Sequence, residues 1–465
     1  MNTDWDALLL AYLHDPPDKA LDIRGHLDRA CRYGAAARDE PVESSQLKNR
    51  SDALASVAER FPAPHWRVLK VDPSLGQLTV NHPLSAQPRR LPVGSIDEDW
   101  VVKQVQSIVS GLSDDRRRRF LALWRMWPER LADAAHSWFA NLPADTRTPD
   151  HTIWHHLDIT AGLQATEDTH GRAFLAFALG PVQRFIEAAR SVRDLWSGSM
   201  ILSWLAFRAM RPVIEQLGPT TLVYPALRGI PLLDLWLRDA QQLGENKVQL
   251  PSVELRLTPS LPHRFLALVP WGANGATAQA LAEQCQQAAN RAVKELAEAV
   301  KNAIQQPLDR LCPGWDKRWD SQIASYFSCS TAVVPLAGSG EEVDRRLARL
   351  LTDRDSFKEA FANAEAVREL ARTIPRDDQP GYDQGHTGRW QYQVELVQRS
   401  LAAHRAVRHV PQTVGDATAN QRYPQKCTLL GSFEQMGPDD LRQSRVFWDQ
   451  VAAQDIVDPE NWTAG

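Results

Sequence analysis

Four short apolar runs separated by helical stretches constrain this chain more than any other feature. "RAFLAFALG" (172–180) is apolar without interruption and closes on a glycine, the pattern of a strand buried on both faces. "PVQRFIEAARSVRDLW" follows with helical spacing and Pro181 in its first turn, and the helical pattern runs on through "SGSMILSWLAFRAM". "TTLVYPAL" (220–227) and "HRFLALVP" (263–270) read as a second and third strand. A long amphipathic helix, "ATAQALAEQCQQAANRAVKELAEAVKNAI", precedes a fourth strand, "SCSTAVVPL" (328–336). The order β-α-β-β-α-β predicts a ferredoxin-like unit over 172–338. Residues 1–168 predict a helical domain, broken at Pro16-Pro17 and Pro41, with a strand-bearing insertion near 62–98 that holds "GQLTV". Residues 339–465 predict a charged helical appendage and a loop-rich tail. The fold class is α+β.

A chain of 465 residues has room for roughly two to four domains. The net charge of -4 announces no overall basic field for nucleic acid. Five cysteines, Cys31, Cys285, Cys312, Cys329 and Cys427, form no CxxC pair, which argues against a disulfide framework and a self-contained zinc ribbon. "MNTDWDALLL" lacks the basic start of a signal peptide, and no apolar run reaches the length of a bilayer span. The expectation is a cytoplasmic protein with no membrane partner. Four consecutive arginines, Arg116 to Arg119, read as a solvated helix face or a phosphate contact.

In "LAYLHDPPDKALD" (10–22), an apolar helix runs into His14-Asp15 and stops at two prolines. Proline cannot continue a helix and restrains the residue before it, so Asp15 stands at a fixed helix end. Two readings are open. His14 caps the helix carbonyls, or imidazole and carboxylate form half of a metal site.

"LAYLHDPPDKAL", "HTIWHHLDIT", "GPVQRFIEAARSVRDLWSGS", "LRGIPLLDLWL" and "LPHRFLALVP" resemble the large subunit of Cmr-type (type III-B) CRISPR effector complexes. The resemblance runs from the N-terminus to about residue 450. It implies an HD-type domain that cuts single-stranded DNA, followed by a first palm domain. It also implies partners: the other subunits of the complex, its crRNA and target RNA, and a second palm. In the family that second palm carries a GGDD motif and makes cyclic oligoadenylate from ATP. No GGDD occurs here, and Leu430 follows Cys427 where the family's zinc segment has its second cysteine. The chain is thus expected to match the N-terminal half of such a subunit, to bind no zinc, and to need a second polypeptide for the cyclase palm. A non-catalytic scaffold half-subunit is the alternative.

Residue by residue, the resemblance makes His14 and Asp15 the HD dyad and adds His26, Asp52 and His156 as ligands of a divalent transition metal of the Mn, Ni or Co type. Glu59 stands where the family usually has aspartate. His155 is expected to be packed or solvated, and His151 to cap or pair near Asp150. At the palm, "LGPVQRFI" places a helix start directly after a strand, which leaves backbone N–H groups for an anion. The resemblance then assigns Gly180, Pro181, Val182, Gln183, Ser197, Gly198 and Ser199 to the surroundings of an ATP.

Overall fold

The computed structural model describes residues 3–48, 50–59, 76–81, 87–133, 135–144, 151–244, 247–311, 315–337, 389–407 and 440–452, with single positions 345 and 366. The chain mixes helices with two small antiparallel sheets. Helices α1 (Trp5–Leu13), α2 (His26–Arg38), α3 (Ser44–Leu47) and α4 (Arg50–Glu59) come first. A hairpin, β1 (Gln77–Asn81) and β2 (Pro88–Pro92), precedes α5 (Glu98–Val109), α6 (Arg116–Leu131) and α7 (Ile153–Ala165).

The second sheet is built from β3 (Arg172–Gly180), β4 (Leu222–Tyr224), β5 (Arg264–Pro270) and β6 (Ser328–Pro335), in the order β4-β5-β3-β6 with antiparallel neighbours. Helices α8 (Gln183–Glu187) and α9 (Val192–Leu217) connect β3 to β4, and α10 (Pro231–Asp239) and α11 (Val253–Arg256) lie between β4 and β5. Helices α12 (Ala276–Leu311) and α13 (Trp315–Tyr326) lead to β6, and α14 (Arg389–Ala406) and α15 (Leu441–Ala452) follow.

Burial explains the continuous apolar run of β3. Leu175, Phe177 and Leu179 join a core with α9 and α12, while Phe174, Ala176 and Ala178 face Leu266, Leu268, Val397 and Leu401. A central strand covered on both faces has no solvent side on which to place polar residues. Helix α14 supplies that second cover, with Trp390 edge-on to Phe174. The segment expected as a helical appendage after 339 supplies this cover over 389–406. The sheet face that it covers is drawn from β3, β5 and β6, all earlier in the chain. The tail positions Cys427 and Leu430 lie outside the described residues.

Two further differences have local causes. The helix expected from Pro181 onward breaks at 188–191, because Ser191 is extended and caps α9, its hydroxyl accepting from the Asp194 N–H at 3.1 Å. The Ser-x-x-Asp spacing is that of a helix start. Strand β4 is shorter than expected: residues 219–221 wind into a 3-10 turn, and Pro225 cannot donate to a ladder.

The N-terminal helices and the sheet unit share one core. Leu8, Tyr12, Phe120, Trp127 and Leu157 belong to the same cluster as Phe177, Leu205 and Trp236. Polar links cross the same boundary. The Arg125 guanidinium on α6 donates to both oxygens of Asp234 on α10, at 2.6 and 2.8 Å, and both side chains are buried. The Arg116–Arg119 block is likewise tied inward, which corrects the solvated-face reading. Arg116 pairs with Asp6 and Glu40, Arg117 lies over the Trp5 ring, Arg118 donates to the carbonyl oxygen of Gln241, and buried Arg119 donates to those of Ser113 and Ala37. Four cations at a helix N-terminus oppose the helix dipole, and acceptors from distant elements offset that repulsion.

Removing one partner of a buried ion pair leaves the other charge stranded. Asp234→Ala is therefore expected to lower the unfolding free energy by about 3–5 kcal/mol, measured by urea denaturation. A loss no larger than that of a surface aspartate would show that the pair does not hold the two parts together. Gly162 permits the closest approach of α7 to the sheet unit: a Cβ there would lie 2.4 Å from the Thr220 carbonyl oxygen. Gly162→Ala should cost about 1–3 kcal/mol through overpacking, read in the same denaturation experiment.

Candidate metal centre

Helix α1 is set by Asp4, whose side chain accepts from the N–H groups of Asp6 and Ala7, and it is buried from Leu8 through Leu13. The helix ends at Leu13, with His14 as its C-cap in helical conformation. Pro16 and Pro17 then turn the chain away, so His14 and Asp15 emerge at a fixed point, both buried. The following loop is anchored by the Asp18 carboxylate, which pairs with Arg29 Nε at 2.7 Å. Arg29 also donates to the carbonyl oxygen of Arg24.

Helix α7 packs along α1, and its second turn brings His156 to the same point from 142 positions away in sequence. The Nε2 atoms of His14 and His156 are 3.2 Å apart. Asp15 Oδ2 lies 3.6 Å from the first and 3.5 Å from the second. Helix α4, packed on α7, adds Asp52 Oδ1 at 3.3 Å from His156 Nε2 and 3.9 Å from His14 Nε2. A first-row metal with ligand bonds near 2.1 Å in a tetrahedral shell spaces its donors by about 3.4 Å. Among the described residues, His14, Asp15 and His156 are the group of three or more potential ligands whose donor atoms all fall within 4.8 Å of one another, and Asp52, beside both histidines, stands outside that group.

The orientation of His14 favours ligation. His14 Nδ1 is 2.8 Å from the Ala11 carbonyl oxygen. A carbonyl only accepts, so Nδ1 donates to it, and Nε2 is the ring nitrogen that faces the cluster. Burial pushes the Asp15 carboxyl upward, but the His14 and His156 imidazoles and the Lys19 ammonium outweigh it and hold it well below the usual carboxylate range. Asp52 behaves alike: burial raises it, and contacts from His14 and His156 hold it low. Both carboxyls are thus anionic donors. Two imidazoles and a carboxylate in one compact group, with Asp52 beside the imidazoles, are donor types that a borderline divalent transition metal takes. Lys19, four residues after Asp15, already pairs with Asp15 Oδ2. Sequence reasoning passed it over, although it sits in the same quoted stretch.

Other expected residues fall elsewhere. His26 opens α2 with its Nδ1 against the Ile23 carbonyl oxygen and does not join the three-residue group. His155 is exposed, and its ring meets His151 edge-on at 6.0 Å. The Glu59 side chain and Asp150 lie outside the described residues. Gly180 ends β3 opposite Ser328, and Pro181 and Val182 lead into the five-residue α8. Gln183 donates to Glu187, and Ser199 to the Leu195 carbonyl oxygen inside α9. Gly198 faces Phe185 and Ile186 of α8. Ser197 and Ser199 lie within α9 and not at its start. Among the described residues no helix is long and apolar enough to cross a membrane.

Residues 174–298, from β3 into α12, match the family described as CRISPR-associated protein Cmr2, N-terminal. The CRISPR system Cmr subunit Cmr2 of Pyrococcus furiosus is 27% identical over 314 residues, 56% of this chain and 34% of that protein. The CRISPR system CMR subunit Cmr2 of Saccharolobus solfataricus is 34% identical over 94 residues, 19% of this chain and 9% of that protein. The chain thus spans about a third or less of the curated relatives that it matches. A cryo-EM structure of type III-B Cmr-beta in the apo state superposes with a TM-score of 0.63 at 15% identity, covering 98% of this chain and 47% of the matched one. Sequence, family and fold comparisons agree: this chain is similar to Cmr2 proteins, over 174–298 to the N-terminal region of that family, and shares the fold of the matched type III-B Cmr-beta chain.

Proposed function

We propose that this chain serves as the N-terminal part of the large subunit of a type III-B effector complex, and that its helical region is an HD-type, metal-dependent single-strand DNase. The observation that carries this is the convergence of His14, Asp15 and His156 at metal-shell spacing from helices far apart in sequence. His14, Asp15, Asp52 and His156 would hold a Mn, Ni or Co type ion. A bound divalent ion supplies a low-pKa water as nucleophile and polarises a phosphoryl oxygen. The protein's own part is to orient the imidazoles, through the Ala11 carbonyl for His14, and to keep both carboxylates charged. The partners are the remaining Cmr subunits with their crRNA and target RNA.

In the same reading the sheet unit is a ferredoxin-like first palm. Its strand order, β4-β5-β3-β6, supports a βαββαβ unit, with helices α10 and α11 added between β4 and β5. Gly180 to Gln183 and Ser197 to Ser199 would border an ATP without performing chemistry on it.

The second reading is a docking half-subunit whose HD fold has lost its chemistry. Lys19 favours it, because an internal ammonium already neutralises Asp15. Incubation of the full chain with single-stranded DNA and Mn²⁺ decides between the two. Cleavage that falls at least about 100-fold in His14→Ala/Asp15→Ala supports the nuclease. Equal cleavage by both proteins would assign the activity to a contaminant, and no cleavage with an intact Mn²⁺ site would favour the scaffold.

The palm reading has its own test. Nucleotidyl transfer requires closely spaced carboxylates for the metals that clamp the triphosphate, and "ALGPVQ" and "LVPWGANG" after β3 and β5 offer no acidic pair. Incubated with ATP, Mg²⁺ and activated effector complex, this chain is expected to make no cyclic oligoadenylate unless a GGDD-bearing palm is supplied. Chromatographic detection of product without such a palm would contradict the assignment.

A further inference from the structure

One side chain of the sheet unit holds the two helices, α1 and α7, that bring His14 and His156 together. Arg228 lies in the connection that follows β4. Its Nη2 donates to Asp158 Oδ1 on α7 and, at 3.3 Å, to the Tyr12 hydroxyl on α1. Its Nε donates to the Trp124 carbonyl oxygen on α6 at 2.9 Å, and its guanidinium lies 5.1 Å over the Trp124 ring. Trp124 Nε1 in turn donates to Asp158 Oδ1 at 3.0 Å. Tyr12 is two residues before His14, and Asp158 is two residues after His156. A planar guanidinium can satisfy three acceptors in fixed directions at once, which an ammonium on a flexible stem cannot.

We infer that Arg228 is a positioning residue for the metal centre: the sheet unit sets the spacing of α1 and α7, and with it the separation of the His14 and His156 nitrogens. The inference rests on the proposed metal site, but its mechanical half does not. The Arg125–Asp234 pair provides the internal comparison. It also crosses from the helical region to the β4–β5 connection, yet it engages α6 and α10 and neither ligand-bearing helix. If the two parts merely need to stay docked, loss of either link has the same effect at the metal site. If Arg228 clamps α1 to α7, only its loss matters there.

The test compares Arg228→Gln, Arg228→Lys and Asp234→Asn in the full chain. Mn²⁺ binding is followed by electron paramagnetic resonance, and amide exchange over 11–15 and 153–158 by mass spectrometry. Arg228→Gln is expected to weaken Mn²⁺ about tenfold, the scale of losing a group that supports a metal ligand, and to speed exchange in both segments. Arg228→Lys, which keeps the charge beside Asp158 but not the fork, gives the reading if the glutamine variant does not fold. It is expected to show the same two changes more weakly. Asp234→Asn should leave Mn²⁺ affinity and those two segments unchanged. Unchanged exchange in both Arg228 variants, or changes matched by Asp234→Asn, would overturn the inference. If the wild-type chain does not bind Mn²⁺, the metal reading fails, and the exchange comparison still decides whether Arg228 is the clamp.

Discussion

Helix α1 is apolar around its whole circumference, and the rest of the structure depends on burying it. A nine-residue helix with Leu8 to Leu13 all buried must be enclosed by several elements. Helices α2, α6 and α7 enclose it, and Gly218, at the end of α9, comes against Leu8, Trp5 and Phe120. The enclosure joins the helical region and the sheet unit in one core. It also determines where the chain re-emerges, and the residues that re-emerge are His14 and Asp15. The candidate chemistry therefore sits where a helix buried on all sides meets two prolines.

The two readings of His14 turn out to be compatible. Nδ1 caps the Ala11 carbonyl, as a helix-terminal histidine does, and the cap leaves Nε2 free to ligate. Asp15 is shared in another sense. Its Oδ2 faces two imidazoles and also Lys19, so an arriving cation would have to displace or rearrange that ammonium. Asp15 is thus already paired without a metal, while the donor atoms of His14, Asp15 and His156 are spaced for one.

Much of the sheet unit was legible from sequence, because strands buried on both faces announce themselves as unbroken apolar runs. Strands β3, β5 and β6 begin and end within a residue or so of the runs that predict them. What stayed hidden depended on partners remote in sequence. The amphipathy of 389–406 does not say which surface it covers. The arginines of 116–119 look solvent-facing until Asp6, Glu40 and Gln241 are brought alongside. The break before Ser191 was readable in the Ser-x-x-Asp spacing but was masked by helical patterning on both sides. His156 and Asp52 came from the family resemblance and not from spacing, since no local rule links positions so far apart. The same resemblance offered His26, which stands apart from the cluster.

The central claim is that His14, Asp15, Asp52 and His156 form one metal centre, and the most direct measurement is anomalous scattering from crystals of the full chain soaked in Mn²⁺. The account predicts a single strong peak within about 2.2 Å of both Nε2 atoms and of an oxygen from each carboxylate, with the Lys19 ammonium withdrawn from Asp15. Anomalous density at other sites only, with Lys19 still paired to Asp15, would contradict it.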